Sequence, residues 1–361
     1  MITLQPYSPI LKTSTAELRG LRELTDDVKG RFTPIFELTR SRKTKAFKEG
    51  DINRQLDNVA SAYPDRPFIL DLTGHAKHRN SQIRELQKSV DGYKGWVDFL
   101  IKKKSGFPGL IPVLQINDED VDTERDFYDR LSRQVKSLDG EFKRIVYRLP
   151  FDYDDFGKDL ETIGKALSLD KLIAVVDAGF IPQGKAAVYG RTAIETIKDL
   201  LQRGVKEFVV AGSSFPLNPT EYGEDQKGKF KLEEVLFFEC VQEGTEQKLL
   251  YGDYATIHPE PSLQAGGQGW VPRIDLPARN LILYRRSRKD KTEKTYAKAY
   301  TRAAREVARL LAFSTVSRSI GSCWGLEQIH MAANGHPPGL SPSYWISARI
   351  NIHISLRVAT K

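Results

Sequence analysis

Eight polar side chains, each at the end of a short apolar segment, are the residues of this sequence best suited to chemistry. In chain order they are Lys12, Glu37, Asp71, Gln115, Arg148, Asp177, Ser213 and Asp253. Carboxylates can transfer protons or hold a divalent metal such as Mg²⁺, and Lys and Arg can hold an anion. For each residue taken alone, a cap on the following helix or a structural salt bridge is an equal alternative.

Two groups of roles follow from these residue types. The predicted acid–base groups or metal ligands, and therefore the predicted catalytic residues, are Glu37, Asp71, Asp177 and Asp253. The predicted substrate-binding residues of the strands are Lys12, Gln115, Arg148 and Ser213. Ser213 lies in the segment Ala211–Ser214, whose backbone N–H groups and hydroxyls would suit a phosphate, although a tight turn is an equal alternative.

The elements that would position these residues alternate between apolar segments and amphipathic segments of helical length. The apolar segments are Tyr7–Lys12, Phe32–Leu38, Pro67–Leu72, Leu110–Ile116, Arg144–Leu149, Leu172–Ala178, Phe208–Ser213 and Leu249–Ile257. Near-continuous apolar runs are typical of parallel strands that are buried on both faces. This repetition predicts an α/β protein with a TIM-like (β/α)8 barrel, in which the strand ends meet at one mouth. An open doubly wound sheet is the alternative.

The pattern changes after the eighth apolar segment. Residues 258–269 are rich in Gly and Pro and predict a long loop, and Trp270–Ile274 with Leu281–Arg286 predicts an antiparallel β excursion. Lys294–Leu311 predicts the eighth barrel helix, and Tyr344–Ser355 in the tail resembles a strand. We therefore predict a barrel over residues 1–313, with a β insertion at about 258–290 after strand 8, and a C-terminal extension over residues 314–361 that packs on the barrel.

Composition and charge narrow the class of protein. The net charge is +8 and the isoelectric point is about 9.2. This balance attracts polyanions, or it only reflects solubility. The clearest basic runs are Tyr284–Lys291 and Arg40–Lys45. The lack of a bilayer-length apolar run and of a leader-like N-terminus predicts a cytoplasmic protein without membrane contact. Cys240 and Cys323 lie far apart and match no metal or redox spacing.

Several short motifs resemble the beta family of proteins from phages and bacterial mobile elements. They are Tyr7–Lys12, Pro34–Glu37, Gly252–Tyr254 and Trp345–His353. The resemblance covers nearly the whole chain. It implies a role in phage–host conflict, either antiviral defence or counter-defence, and it is compatible with a protein partner encoded nearby. It also implies motif positions at Lys12, Glu37, Asp253, Arg349 and His353, which adds Arg349 and His353 to the predicted substrate-binding residues.

Two functions are compatible with this sequence. The first is an enzyme, such as a metal-dependent phosphodiesterase or nuclease-like hydrolase, that acts on a phosphorylated or nucleic-acid-like anion at the barrel mouth. The second is a non-catalytic barrel that serves as a sensor or scaffold in a defence complex and docks through the basic excursion near Arg285. Carboxylates gathered around one metal would favour the first. A mouth plugged by the tail, with every charge in a salt bridge, would favour the second.

Overall fold

A closed parallel β-barrel forms the centre of the molecule. The computed structural model describes residues 2–260 and 270–360. The strands are β1 Tyr7–Lys12, β2 Ile35–Leu38, β3 Phe68–Leu72, β4 Leu110–Pro112, β5 Ile145–Pro150, β6 Leu172–Phe180, β7 Glu207–Ser213, β8 Lys227–Lys231, β9 Leu250–Asp253, β10 Arg273–Pro277 and β11 Leu281–Arg286. Eight of them pair in the order β4-β3-β2-β1-β9-β7-β6-β5. A parallel bridge between Val113 and Val146 joins β4 to β5, so the predicted barrel is confirmed and the open sheet is excluded.

Amphipathic helices follow the strands and cover the outside of the barrel. The helices up to the last barrel strand are α1 Thr15–Arg22, α2 Asp26–Lys29, α3 Ile52–Ala62, α4 Ser81–Leu86, α5 Val90–Lys104, α6 Glu124–Asp139, α7 Phe156–Ala166, α8 Ala186–Gln202 and α9 Glu233–Glu243. In α6, Phe127, Leu131 and Val135 recur at helical spacing and are buried. The hydroxyl of Thr123 caps this helix by accepting a hydrogen bond from the backbone N–H of Asp126. Apolar spacing and capping therefore explain why these segments fold as predicted.

The helix that completes the barrel is the last one in the chain, and two predictions about it are wrong. The remaining helices are α10 Ala297–Ala308, α11 Leu311–Ile320, α12 Trp324–Ala333 and α13 Pro342–Ala359. Helix α13, not Lys294–Leu311, packs against α1 and β1, whereas α10 packs on β10, β11 and α12. The segment Tyr344–Ser355 is therefore helical and not a strand.

The alternating isoleucines of α13 explain why its sequence resembled a strand. Ile350 and Ile354 belong to the apolar core between the barrel and its helices. Ile352 and Leu356 belong to a second apolar core, formed with α10 and α12. A helix that is buried on both sides needs apolar residues all round, and such a segment loses the helical period that normally identifies it.

A small antiparallel sheet lies beside the barrel. Its strand order is β10-β11-β8, so the predicted excursion after the barrel strands is confirmed for β10 and β11. Its third strand, β8, comes from the connection between β7 and β9 and was not predicted. The predicted loop at 258–269 lies largely outside the described residues, which resume at Trp270. The domain division at 313 and 314 stays a prediction. In the described part of the chain, no helix is both long and apolar enough to cross a membrane.

Candidate functional site

The mouth of the barrel is built by the two-residue period of its strands. Successive strand residues point to opposite faces, so a residue two positions beyond an interior one also points inward. The barrel interior contains Ile10, Ile35, Ile69, Val113, Val146, Val175 and Ala211. Two positions beyond them lie seven predicted site residues, namely Lys12, Glu37, Asp71, Gln115, Arg148, Asp177 and Ser213. These seven side chains therefore start on the inner face of the barrel at its C-terminal end.

Arg148 is the centre of this mouth. Its Nε and Nη2 atoms donate to Oδ2 of Asp177 at 3.0 and 2.7 Å, and Nη2 also donates to the hydroxyl of Tyr254 at 2.9 Å. Its Nη1 atom donates to Glu37 at 2.9 Å and to Asp71 at 2.8 Å. A guanidinium has five N–H donors, and these contacts use all of them. Tyr254 in turn donates to Asp177 at 2.6 Å. We call these five residues the Arg148 cluster.

Lys12 and Gln115 extend the Arg148 cluster at its two sides. The Lys12 ammonium lies 3.5 Å from Oε2 of Glu37 and donates to the carbonyl of Pro259 at 2.9 Å. The Gln115 amide donates to Asp71 at 3.1 Å. Burial opposes ionisation of Glu37, but the positive charges of Lys12 and Arg148 prevail and lower its pKa to about 2. Burial instead raises the pKa of Asp71, even though Arg148 opposes the change.

A cavity of about 910 Å³ opens above the Arg148 cluster. Its acidic lining residues are Glu37, Asp71, Asp118, Asp122, Glu124, Asp155 and Asp177. Its aromatic lining residues are Phe127, Tyr128, Tyr147, Tyr153 and Tyr254. Among the described residues, Arg148 and His75 are the basic side chains of this lining, and burial lowers the pKa of His75. The cavity is therefore an acidic and aromatic site, not a basic one.

Asp253 does not share the mouth with the other predicted catalytic residues. Its carboxylate accepts hydrogen bonds from the hydroxyls of Tyr7 and Tyr251 at 2.8 and 3.0 Å and from the backbone of Ala255 at 2.9 Å. It also bonds Nε2 of His353 at 2.6 Å. Both tyrosines belong to the core outside the barrel wall. Asp253 and His353 therefore join β9 to α13, and their predicted place in the mouth is wrong.

The protonation of His353 follows from its surroundings. Burial lowers its pKa despite the attraction of Asp253. Its Nδ1 atom is buried and has no hydrogen-bond partner among the described residues. A neutral ring that donates from Nε2 leaves a lone pair at Nδ1, whereas a charged ring would leave a buried N–H unsatisfied. We therefore assign the neutral form, which donates to the Asp253 carboxylate.

Arg349 and Ser213 also serve the structure around the mouth. Arg349 donates to Asp275 at 2.5 Å and to the hydroxyl of Thr256 at 3.1 Å, and it stacks on Phe215 at 4.0 Å. Burial lowers the pKa of Arg349 to about 10. The Ser213 hydroxyl donates to the carbonyl of Ile257 at 2.8 Å. Neither side chain lines the cavity.

The predicted phosphate loop already binds an internal carboxyl group. The backbone N–H and the hydroxyl of Ser214 donate to Oε2 of Glu234 at 2.9 and 2.5 Å. A phosphate at Ala211–Ser214 would have to displace the buried carboxyl group of Glu234. The tight-turn alternative therefore describes this segment better than the phosphate-binding prediction.

The relatives of this chain identify its family. The sequence model of the Beta protein family matches residues 7–359. The chain belongs to the Beta protein family. "Protein beta" of Enterobacteria phage P4 is 25% identical over 356 residues, which are 98% of this chain and 92% of the phage protein. The resemblance inferred from the short motifs is therefore confirmed.

One solved structure resembles this Beta protein weakly. It is the carboxyl transferase domain of Rhizobium etli pyruvate carboxylase with 3-bromopyruvate, at 10% identity and a TM-score of 0.36. The match covers 98% of this chain and 48% of the solved chain. The barrel assignment rests on the strand order of this chain, because a likeness at this level carries no argument.

Sequence reasoning missed two features of the Beta protein mouth. Tyr254, directly after β9, takes the inward position that Asp253 was predicted to have, and the two-residue period from Leu250 could have shown it. The second feature is a set of acidic residues after β4 and β5, in the segments Asp118–Asp126 and Asp152–Asp155. The sequence signal for these residues was a dense run of Asp and Glu in a chain whose net charge is positive. We call Asp118, Asp122 and Asp155 the acidic rim.

A strained turn directly follows Tyr254. Ala255 and Thr256 have φ angles of +46° and +67°, in the left-handed region that β-branched residues such as Thr rarely adopt. Asp253 binds the backbone of Ala255, and Arg349 binds the hydroxyl of Thr256. Backbone strain of this kind persists where the surroundings enforce it, and it concentrates at functional sites. The contacts of Asp253 and Arg349 therefore stabilise this turn, while Asp177 and Arg148 hold the hydroxyl of Tyr254 in the mouth.

The carboxylates of this mouth do not form a metal site. Within residues 2–260 and 270–360, no group of three or more His, Cys, Asp or Glu side chains is arranged to hold a metal ion. Glu37, Asp71 and Asp177 instead surround the guanidinium of Arg148. A guanidinium occupies the centre that a Mg²⁺ ion would need, so the predicted divalent metal does not fit these residues.

Proposed function

We propose that the barrel mouth of this Beta protein binds a small organic cation, of the amine or guanidinium class, and that the barrel acts as a non-catalytic sensor. The observation that carries the proposal is the charge of the cavity lining. Seven carboxylates line it, against Arg148 and His75. A cleft lined by one sign of charge concentrates counter-ions of the other sign.

The floor of the cavity leaves little capacity for an anion. The five N–H donors of Arg148 are engaged by Glu37, Asp71, Asp177 and Tyr254. An anionic ligand would have to break these charge-assisted hydrogen bonds and approach three carboxylates. This arrangement disfavours the phosphorylated or nucleic-acid-like ligand that the sequence predicted for the mouth.

The acidic rim leaves its carboxylates available to a ligand. Asp118, Asp122 and Asp155 are exposed, and the described part of the chain contains no ion-pair partner for them. By contrast, Glu124 pairs with Lys158 at 2.5 Å. A cation that enters the cavity would therefore meet the carboxylates of the acidic rim first and, below them, the Arg148 cluster, in which three carboxylates share one guanidinium.

Aromatic rings strengthen the case for an organic cation. Tyr128 and Tyr153 line the cavity on the side of the acidic rim. The hydroxyl of Tyr147 is held by Asp159 at 2.7 Å, which fixes this ring in the wall. Aromatic faces attract ammonium and guanidinium groups by about 0.5–2 kcal/mol, and they do not attract phosphates in this way.

The hydrogen bonds within the Arg148 cluster favour a sensor role over catalysis. The tail does not plug the mouth, because α13 lies outside the barrel against α1. The Arg148 cluster nevertheless pairs its charges internally, as a scaffold would. The family's occurrence in phages supports a role in phage–host conflict, in which cation binding would change how the barrel contacts a nearby encoded partner protein.

Calorimetry with spermidine tests cation binding. We expect binding to the wild type and a loss of about tenfold in affinity for Asp118→Asn/Asp122→Asn/Asp155→Asn, since each nearby charge is worth roughly 0.5 kcal/mol in a solvated cleft. Asp57→Asn/Glu195→Gln/Glu239→Gln is the matched control, because it removes three exposed carboxylates from outer helices. Equal losses in both variants, or tighter binding of ATP than of spermidine, would refute the proposal.

Phage challenge tests the biological part of the proposal. We expect expression of the wild type in a bacterial host to change plaque numbers at least about tenfold for a susceptible phage. The acidic-rim variant should lose this effect while the control variant keeps it. An unchanged effect in the acidic-rim variant would separate the cavity from any role in phage–host conflict.

A further inference from the structure

The basic charge of this protein is concentrated outside the barrel. The segments 227–231 and 270–309, which form the small sheet and α10, contain fifteen Lys and Arg against four Asp and Glu. The whole chain has a net charge of +8, so the remainder of the chain is slightly acidic. The isoelectric point of about 9.2 is therefore a property of the small sheet and α10, not of the mouth.

Strand β8 presents a row of lysines at the outer edge of the small sheet. Lys227, Lys229 and Lys231 are exposed, and they alternate with Gly228 and the buried Phe230. Alternate residues on one strand face lie about 7 Å apart. No ion pair of Lys229 or Lys231 occurs among the described residues, and Lys227 lies 3.6 Å from the exposed Glu224.

Strand β11 and the segment after it continue this basic surface. Lys227 pairs in register with Arg285. Arg286 and Arg288 both bind Asp225, at 2.7 and 3.0 Å, so one carboxylate serves two guanidinium groups. A polyanion that follows these strands would therefore meet a surplus of positive charge.

An aromatic pair joins the residue Trp270, before β10, to Tyr296, just before α10. Trp270 stacks on Tyr296 with ring centroids 4.4 Å apart, and the Lys289 ammonium lies over the Tyr296 ring. Trp270 is 39% exposed, whereas Trp96 and Trp345 are buried. An exposed indole that is held by stacking on Tyr296, with Lys289 nearby, offers a surface on which an unpaired base can stack.

We propose that the small sheet and α10 bind single-stranded nucleic acid, with phosphates on the lysines of β8 and a base on Trp270. This site is separate from the barrel mouth and does not depend on its ligand. Lysines on an edge strand also prevent sheet-to-sheet aggregation. That role accounts for β8 but not for the exposed Trp270 or for the basic segment 285–298. The combination of a basic track with a stacking ring favours single strands over duplexes.

Binding of a fluorescent 20-nucleotide oligo(dT) by the full chain tests the lysine row. We expect Lys227→Glu/Lys229→Glu/Lys231→Glu to weaken binding at least about tenfold and to reduce the slope of log K against log[salt] by about 2, at roughly 0.7 per lost phosphate contact. Lys43→Glu/Lys45→Glu/Lys48→Glu makes the same charge change in the exposed loop after β2 and should keep the wild-type slope. Equal effects in both variants would overturn the proposal.

Tryptophan fluorescence tests the stacking base. Oligo(dT) should quench the emission of the wild type, and Trp270→Phe should lose most of this quenching and bind a few-fold more weakly. A duplex of the same length should bind more weakly than the single strand and quench less. Tighter duplex binding, unchanged quenching in Trp270→Phe, or no binding at low salt would each overturn the proposal. Wild-type circular dichroism and melting temperatures in the variants show that they are folded.

Discussion

Asp253 and Tyr254 are neighbours in the chain but lie on opposite sides of the barrel wall. The Asp253 carboxylate bonds His353 of α13 at 2.6 Å on the outside, and the Tyr254 hydroxyl bonds Asp177 at 2.6 Å on the inside. The residue pair therefore connects the last helix of the chain to the mouth. It also separates two roles, since the outer residue holds the fold and the inner one belongs to the Arg148 cluster.

Replacing Asp253 should lower stability and spare ligand binding. Asp253→Ala leaves two tyrosine hydroxyls and a histidine N–H without their buried acceptor, so we expect the free energy of unfolding to fall by about 3–5 kcal/mol. Urea denaturation measures this change. Where the variant is folded, its affinity for spermidine should stay within about twofold of the wild type. Lost binding at unchanged stability would instead place Asp253 in the binding site.

Removing the guanidinium of the Arg148 cluster should make stability depend on pH. Arg148→Met leaves Asp71 and Asp177 buried without a counter-charge and leaves Glu37 with Lys12 alone, and we expect a loss of about 3–5 kcal/mol at pH 8. Arg148 lowers the pKa values of Glu37 and Asp71, so both should rise in the folded variant; its stability is then greatest at low pH and is lost as pH rises through those values. Urea denaturation at pH 5 and pH 8 measures the difference. Equal losses at the two pH values would contradict the assigned charges of the cluster.

Glu234 should also make the native protein less stable as pH rises. Burial raises its pKa to about 7 from 4.5, and its Oε1 atom has no partner among the described residues. The folded state therefore holds a proton that the unfolded state releases between about pH 4.5 and 7, and stability falls across that window. Glu234→Gln should remove this fall, worth up to about 3 kcal/mol. Glu239→Gln, exposed on the same helix, should leave the pH profile unchanged, and identical profiles for both variants would refute the assignment.

The docking of α13 on α1 should depend on Gly20. A Cβ at this position would lie 2.7 Å from the Ser347 carbonyl oxygen of α13, whereas a Cβ at Gly30 would meet no atom closer than 3.5 Å. We expect Gly20→Ala to lower the melting temperature by about 1–4 °C through this clash, and Gly30→Ala to leave it nearly unchanged. A stabilised Gly20→Ala protein would contradict the assignment of α13 as the eighth barrel helix.

The barrel was predictable from sequence because its parallel strands are continuous apolar segments separated by amphipathic helices. The places of Lys12, Glu37 and Arg148 at the ends of apolar segments also predicted that they lie at the mouth. The prediction is wrong at β9, because Asp253 has the more reactive side chain but Tyr254 is the residue in phase with the interior. It failed again for α13, whose burial on two sides hides its helical period.

The chemistry of the mouth was less predictable than its residues. Net charge is a sum over the whole chain, so the value of +8 does not show that the cavity is acidic while the small sheet is basic. All five N–H donors of Arg148 are engaged, by Glu37, Asp71, Asp177 and Tyr254. These contacts join strands that are far apart in sequence. Such contacts decide whether a carboxylate is a metal ligand or a counter-ion, and the residue type alone does not.

A crystal structure of the protein with spermidine tests the proposed cation site most directly. The account predicts that an ammonium group lies within about 4 Å of at least one carboxylate of the acidic rim, with the contacts of Arg148 to Asp177 and Glu37 unchanged. A phosphate or other anion bound to Arg148 in place of these carboxylates, or an empty mouth at saturating spermidine, would contradict it.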